Sequence, residues 1–110
     1  MHGKLGGDCN VRKYELSRAA DHDLDDIYVY TFREFGVLQA DVYFESLEEC
    51  LSKLAENPLL GVDAGNVRAG YRRFVHQRHT VFYKKARVGI RIIRILGPGM
   101  FIERSMGKSR

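Results

Sequence analysis

The sequence predicts an α+β fold in which a helical hairpin packs on one face of a small antiparallel sheet, in the order β-α-α-β-β-β. Two observations lead to this prediction. Apolar residues recur at helical spacing through two consecutive segments of the first half, and after Gly70 the period of the pattern changes to two. The length of 110 residues leaves room for one hydrophobic core.

The first two elements are a short strand and a helix. Residues 12–16 alternate polar and apolar side chains, which is typical of a strand. Ser17 stands where a helix N-cap belongs, and apolar positions follow at helical spacing from residue 20 to residue 35. Carboxylates complement the dipole of the first turns, at Asp21, Asp23, Asp25 and Asp26. Gly36 supplies the C-terminal stop.

A second helix follows immediately, over residues 37–56. The helical pattern repeats at Ala40, Tyr43, Phe44, Leu47, Leu51 and Leu54, and Asn57-Pro58 ends it. Because a single glycine joins the two helices, they are predicted to form an antiparallel hairpin that buries one stripe of each helix against a sheet.

The second half of the chain is predicted to form three strands after a loop over residues 59–69. The strands are residues 71–76, 79–84 and 90–96, with a tight connection at Gln77-Arg78. The last strand is β-branched, as a central strand covered on one face would be, and is expected to neighbour only the strand before it unless the first strand joins the sheet elsewhere. The position of the first strand in the sheet is left open.

Charge is divided unequally along the chain, whose net charge is +4. Residues 1–17 carry +1, residues 18–63 carry −8 and residues 64–110 carry +11. The basic half is therefore predicted to meet something negative, either nucleic acid or an acidic protein. The alternative is that the two halves offset each other within the fold.

Nine basic residues fall on the predicted strands and their loops. A sheet face that carries arginine can bind phosphate oxygens, because each guanidinium group donates two hydrogen bonds in a bidentate arrangement. The alternative is that this face of the sheet is simply exposed to solvent. These residues are Arg68, Arg72, Arg73, Arg78, Lys84, Lys85, Arg87, Arg91 and Arg94.

A phosphodiester-cleaving site needs a base, an acid and cations for the developing charge. Arg73, His79, Tyr83 and Arg94 could supply these groups if they converge, and His79 and Tyr83 share a face of one strand. The alternative for His79 is a hydrogen-bonded structural role.

Metal and cofactor sites are not expected. His76 and His79 are poorly spaced for a shared metal, the glycines form no phosphate-binding loop, and Cys50 is expected to pack against Leu51 and Leu54. Two cysteines are too few for a disulfide framework, which favours a reduced, cytoplasmic setting. No signal peptide or membrane-spanning run is predicted.

Six motifs together resemble ParE toxins of the RelE/ParE superfamily. In the first half they are Leu16-Ser17-x-x-Ala20-x-x-Asp23-Leu24-x-x-Ile27-Tyr28-x-Tyr30-Thr31, Phe35-Gly36-x-x-Gln39-Ala40-x-x-Tyr43 and Leu54-Ala55-Glu56-Asn57-Pro58-x-x-Gly61. In the second half they are Val67-Arg68-x-Gly70-Tyr71-Arg72-Arg73-Phe74, Arg78-His79-x-Val81-Phe82-Tyr83 and Ile93-Arg94-Ile95-Leu96. The order and spacing of the six are specific jointly and cover about residues 13–104.

The resemblance implies the toxin of a bacterial type II toxin–antitoxin system, of the kind used in plasmid stabilisation. It implies a cytoplasmic protein that inhibits DNA gyrase rather than catalysing a reaction. A ParD-like antitoxin would bind it directly in a hetero-oligomer, with no cofactor, no membrane and no sequence-specific contact to nucleic acid.

Residues expected to contact the target or the antitoxin include basic, aromatic and C-terminal side chains. They are Arg68, Arg72, Arg73, Arg78, His79, Tyr83, Arg91, Arg94, Met100, Phe101, Glu103 and Arg104.

The sequence departs from the family after Ile95-Leu96, where His, a variable residue and Arg-Met-Asp are usual. Here residues 97–102 read Gly-Pro-Gly-Met-Phe-Ile, and Ala69 replaces a usual proline. Two alternatives therefore stay open: a RelE-type messenger-RNA endoribonuclease acting on the ribosome, and a non-toxic homologue that only binds antitoxin. A single domain is expected over residues 12–104, with a disordered tail at 1–11 and a short tail at 105–110.

Overall fold

The computed structural model describes residues 14–98, in which two helices cover one face of a five-stranded sheet. The helices are α1 (Arg18–Phe35) and α2 (Val37–Glu56), and a single 3-10 turn follows at Pro58–Leu60. The strands are β1 (Tyr14–Leu16), β2 (Val62–Asp63), β3 (Arg72–His76), β4 (His79–Lys85) and β5 (Ile90–Leu96). The predicted α+β class is confirmed.

Local signals set both ends of the helices where the sequence predicts them. The Ser17 hydroxyl accepts from the backbone N–H of Ala20 at 2.9 Å and donates to the carbonyl of Ile93 on β5 at 2.8 Å, so the cap also anchors α1 to the sheet. Gly36 lies at φ 93° and ψ 171°, a region essentially restricted to glycine, which lets α2 begin one residue after α1 ends.

The sheet order is β1-β5-β4-β3-β2, which answers one question that the sequence left open and corrects one prediction. β5 is not an edge strand, because β1 pairs with it in parallel, with Tyr14 opposite Ile90 and Leu16 opposite Ile92. Residues 59–69 are not all loop, because β2 forms inside this segment and pairs with β3. The sheet is therefore mostly, and not wholly, antiparallel.

The strand bounds differ by one residue from the prediction at two places. β3 begins at Arg72 rather than at Tyr71, and β4 runs on to Lys85 rather than ending at Lys84. Residues 12 and 13 of the predicted first strand, both tails and the stretch from 99 to 104 lie outside the described residues.

The main core lies between the helices and the sheet. Leu47, Leu51 and Leu54 of α2 are fully buried there, and Cys50 packs beside them as predicted. The other buried members are Tyr14, Ala20, Leu24, Ile27, Ala55, Val81, Tyr83, Ile90, Ile92 and Ile95. Burial of these side chains is the dominant force that holds the hairpin on the sheet.

The second face of the sheet is partly covered, which the sequence did not predict. Ala64 and Tyr71, from the segment between β2 and β3, pack with Phe82 and Leu96 in a smaller cluster. No helix within residues 14–98 is long and apolar enough to cross a membrane.

Candidate functional site

A groove of about 830 Å³ opens between the helical hairpin, the β3–β4 turn and the end of β5. Its floor and walls are mainly apolar, and charged side chains stand among them. The lining residues are Asp23, Asp26, Ile27, Tyr30, Thr31, Phe35, Gln39, Tyr43, Gln77, Arg78, His79, Ile95, Gly97 and Pro98. Clefts of this size and composition are typical binding sites.

One wall of the groove is held by a partly buried ion pair that sequence reasoning missed. Asp23 of α1 accepts two parallel hydrogen bonds from the Arg94 guanidinium, both at 2.8 Å, and a third from the backbone N–H of Ile95 at 2.9 Å. The hydrogen bonds to Asp23 raise the pKa of Arg94. The positive charge of Arg94 is therefore paired with the Asp23 carboxylate. Arg94 therefore joins α1 to β5.

The opposite wall contains His79 of the β3–β4 hairpin, and His76 is its cross-strand neighbour. The Tyr43 hydroxyl lies 2.7 Å from His79 Nδ1, and Ser46 Oγ lies 3.1 Å from His76 Nε2. The turn between them is tight, with Gln77 at φ 54°. Both histidines thus fasten the turn to α2.

Burial lowers the pKa of both histidines below the ordinary value. For His79 the nearby Arg78 and His76 lower it further, and Asp23 acts in the opposite direction. Both imidazoles are therefore neutral at neutral pH, which suits hydrogen bonding to hydroxyl groups.

Tyr83 does share a face of β4 with His79, but that face is the one covered by the helices. The Tyr83 side chain is 1% exposed, and its hydroxyl donates to the Pro58 carbonyl at 2.7 Å and accepts from the Gly61 N–H at 2.9 Å. A side chain on Gly61 would collide with this hydroxyl. Tyr83 is therefore a structural residue and cannot contact a macromolecular partner.

The proposed nuclease residues do not converge. Arg73 projects from the face of the sheet opposite the helices, His79 lines the groove, Tyr83 is buried and Arg94 is bound to Asp23. The condition under which these four side chains could act as an acid–base set, their convergence, is therefore not met.

The predicted cations fall into two groups. Arg72 donates to the Gly61 carbonyl at 2.7 and 3.2 Å, Arg91 lies 3.3 Å from Glu15, and Arg94 holds Asp23. Arg68, Arg73 and Arg78 are exposed instead. The remaining predicted contacts, at Met100, Phe101, Glu103 and Arg104, lie outside residues 14–98. Within that range no three His, Cys, Asp or Glu side chains are grouped closely enough to hold a metal.

A second feature that sequence reasoning missed is the exposed apolar end of the helical hairpin. Of positions 29–42, only Thr31 and Ala40 are buried. The exposed large apolar side chains there, which we call the hairpin tip, are Val29, Tyr30, Phe32, Phe35, Val37, Leu38 and Val42. Such a patch marks an interaction surface. Its signal in the sequence is an excess of apolar residues on the helix faces outside the predicted stripe.

Comparison with known proteins identifies close relatives of the chain. The profile of the family described as "ParE toxin of type II toxin-antitoxin system, parDE" matches residues 14–99. A protein called Toxin ParE1 from Caulobacter vibrioides is 42% identical over 99 residues, which span 88% of this chain and all of that protein. A protein of the same name from Mycobacterium tuberculosis is 34% identical over 95 residues, which span 86% of this chain and 97% of that protein.

A solved structure confirms the fold. The chain resembles one from the structure titled "Chromosomal ParDE TA system from P. aeruginosa", with a TM-score of 0.67 and 22% identity. The similarity covers 77% of this chain and 94% of the other.

Proposed function

Because the chain belongs to the ParE toxin family of type II toxin–antitoxin systems, we propose that it inhibits DNA gyrase and is neutralised by a ParD-like antitoxin. The observation that supports this most strongly is the 42% identity to a Toxin ParE1 along that protein's entire length. Toxin, antitoxin and gyrase would meet in the cytoplasm.

The exposed apolar surface supports an antitoxin partner. The groove and the hairpin tip present exposed apolar side chains of the kind that mark interaction surfaces. Arg78 lines the groove and is exposed, so an acidic residue on the same partner would find a cation there. The resulting unit is a hetero-oligomer.

The placement of the candidate nuclease residues supports gyrase rather than messenger RNA as the target. Cleavage of a phosphodiester needs a base, an acid and cations around one scissile bond. Here Arg73, His79, Tyr83 and Arg94 are divided among the open sheet face, the groove and the core. An inhibitor of another enzyme needs a binding surface only, and the chain has one.

The proposal is tested by adding the purified full chain to gyrase and relaxed plasmid DNA. We expect loss of supercoiling and, after protease and detergent treatment, an increase in linear plasmid from trapped cleaved DNA. Prior mixing with a ParD-like antitoxin should abolish both effects. A matched reaction with a topoisomerase I controls for general effects on DNA.

Other results of this experiment, or of expressing the chain in cells without antitoxin, would contradict the proposal. Unchanged supercoiling at a hundredfold molar excess over gyrase would do so, and growth arrest with cleaved transcripts and intact chromosomes would assign a ribonuclease instead. Antitoxin binding with neither effect would identify a non-toxic homologue.

A further inference from the structure

A row of cations crosses the open face of the sheet on three adjacent strands. Lys84 on β4 lies directly opposite Arg91 on β5. Arg73 on β3 lies opposite Phe82, so it is the diagonal neighbour of Lys84 on the same face. Since side chains alternate along a strand and Tyr83 belongs to the helix-side core, these three project away from the helices. We call Arg73, Lys84 and Arg91 the basic row.

Further cations stand beside the row. Arg87 is exposed in the turn to β5, and Arg68 is exposed on the loop that covers part of this face. Lys85 is also exposed, but it lies opposite Ile90 of the helix-side core and therefore projects to the other face of the sheet. Within residues 14–98, only one of the five cations of the open face has a hydrogen-bonding or ionic partner, Arg91 with Glu15. The four without such a partner are Arg68, Arg73, Lys84 and Arg87.

This arrangement of cations destabilises the folded protein when no anion is bound to it. Like charges directly opposite each other on a sheet repel, and Lys84 faces Arg91 in this way. Glu15 of β1 offsets part of that repulsion. Residues 64–98 themselves contain no Asp or Glu side chain. By contrast, Arg72 and Arg94 are bound to oxygen atoms of the protein itself. An anionic ligand on the open face would relieve the repulsion.

We propose that the basic row and its neighbouring cations bind the phosphate backbone of duplex DNA without reading its base sequence. This inference rests on the proposed function, because a toxin that acts on gyrase meets DNA at its target. DNA is favoured over an acidic polypeptide because the apolar anchors that a folding peptide needs are concentrated at the hairpin tip and not along the row. Guanidinium and ammonium groups alone suffice for phosphate.

The test measures anisotropy of a fluorescein-labelled 30-base-pair duplex of arbitrary sequence with the full chain, between 50 and 200 mM KCl. For five phosphate contacts, the plot of log K against log salt should have a slope of about −4.5, a loss of about 500-fold over this range. A duplex of unrelated sequence should give the same affinity within about threefold, since phosphate contacts carry no sequence information.

Two matched triple variants distinguish the effect of removing cations at the proposed site from the effect of lowering the net charge by three. Arg68→Gln/Lys84→Gln/Arg87→Gln removes three of the five cations on the open face, and the slope should fall to about −1.8. The control, Arg18→Gln/Arg33→Gln/Lys53→Gln, removes three exposed cations from the helices and should keep the parent slope. All six positions are exposed, so both variants should unfold at the parent temperature.

The outcomes are distinct. Equal weakening of DNA binding in both variants, or no binding at 50 mM KCl, would overturn the inference. Binding of poly-glutamate at the row without binding of DNA would also overturn it and assign the row to an acidic protein. Gyrase inhibition by the parent chain without measurable DNA binding would refute the inference but leave the proposed function intact. DNA binding through the row without an effect on gyrase would support the inference and refute the proposed function.

Discussion

Two buried tyrosines show how one hydroxyl group can decide the role of a residue. Tyr83 and Tyr71 are 1% and 6% exposed, on opposite faces of the sheet. The Tyr83 hydroxyl satisfies the Pro58 carbonyl and the Gly61 N–H, and so ties the segment after α2 to β4. The Tyr71 hydroxyl makes no such contact with the described residues. Only the first tyrosine therefore joins two segments by hydrogen bonding.

Tyr83→Phe should lower the free energy of unfolding by about 1–3 kcal/mol, because it leaves a buried N–H and a carbonyl without partners. Urea denaturation followed by circular dichroism measures this difference. Tyr71→Phe is the matched control and should change the free energy by less than about 0.5 kcal/mol. Equal effects of the two variants would show that the Tyr83 hydrogen bonds contribute nothing specific.

Among the elements, the helical hairpin extends beyond the part of it that the sheet covers. Gly36 joins the two helices as a single residue. It lies within a run of eight exposed residues, 32–39. Tyr28 joins the helices through its hydrogen bond to Asp41 and its edge contact with Phe44. The hairpin tip is therefore a shaped apolar surface held by helix–helix contacts.

Leu38→Ser/Val42→Ser should weaken the binding of a ParD-like antitoxin at least tenfold, because exposed apolar anchors at an interface contribute strongly to affinity. The two side chains are 79% and 61% exposed, so the free toxin should keep its stability. Isothermal titration calorimetry with the antitoxin measures the change.

Val88→Ser is the matched control for this prediction. Its side chain is 73% exposed but lies in the β4–β5 turn, away from the hairpin, and the variant should bind as the parent does. If the control lost as much affinity as the hairpin variant, the antitoxin would not be docking on the tip.

At the scale of the whole molecule, stability should fall on acidification. Burial lowers the pKa of His76 and His79 in the folded state, so the unfolded chain takes up their protons more readily. The contribution of the neutral histidines is fully present above their unfolded pKa of about 6.5 and is lost as pH falls below it. Protonation would also place two more charges beside Arg78.

Urea denaturation at pH 8 and at pH 5 checks this expectation. The difference in unfolding free energy between the two pH values should be clearly smaller in His76→Asn/His79→Asn than in the parent, since asparagine does not titrate. An unchanged difference would exclude these histidines as the source of the pH dependence.

The helices were predictable to the residue and the sheet was not, for a physical reason. Helix ends are decided by neighbours in sequence: Ser17 bonds to Ala20, and Gly36 adopts its own backbone conformation. Strand neighbours are decided at long range, as in the pairing of Tyr14 with Ile90. A strand as short as β2 leaves no periodic signal.

The same reason limited the prediction of the site. The arginines could be placed on strands from the sequence, but which of them remain available depends on distant oxygens. Arg94 meets Asp23 and Arg72 meets the Gly61 carbonyl, across 71 and 11 positions. Because the two partners of each pair belong to different short motifs, the motifs alone do not predict these contacts.

The parallel pairing of β1 with β5 has a consequence for synthesis. The first strand finds its partner only after residues 90–92 have been made, and β5 also supplies Ile90, Ile92 and Ile95 to the main core. A ribosome adds about 5–20 residues per second, so the nascent chain remains without its interior strand for seconds. A chain that ends before β5 lacks both the partner of β1 and a wall of the groove. Completion of the sheet and of the groove is thus coupled to translation of β5.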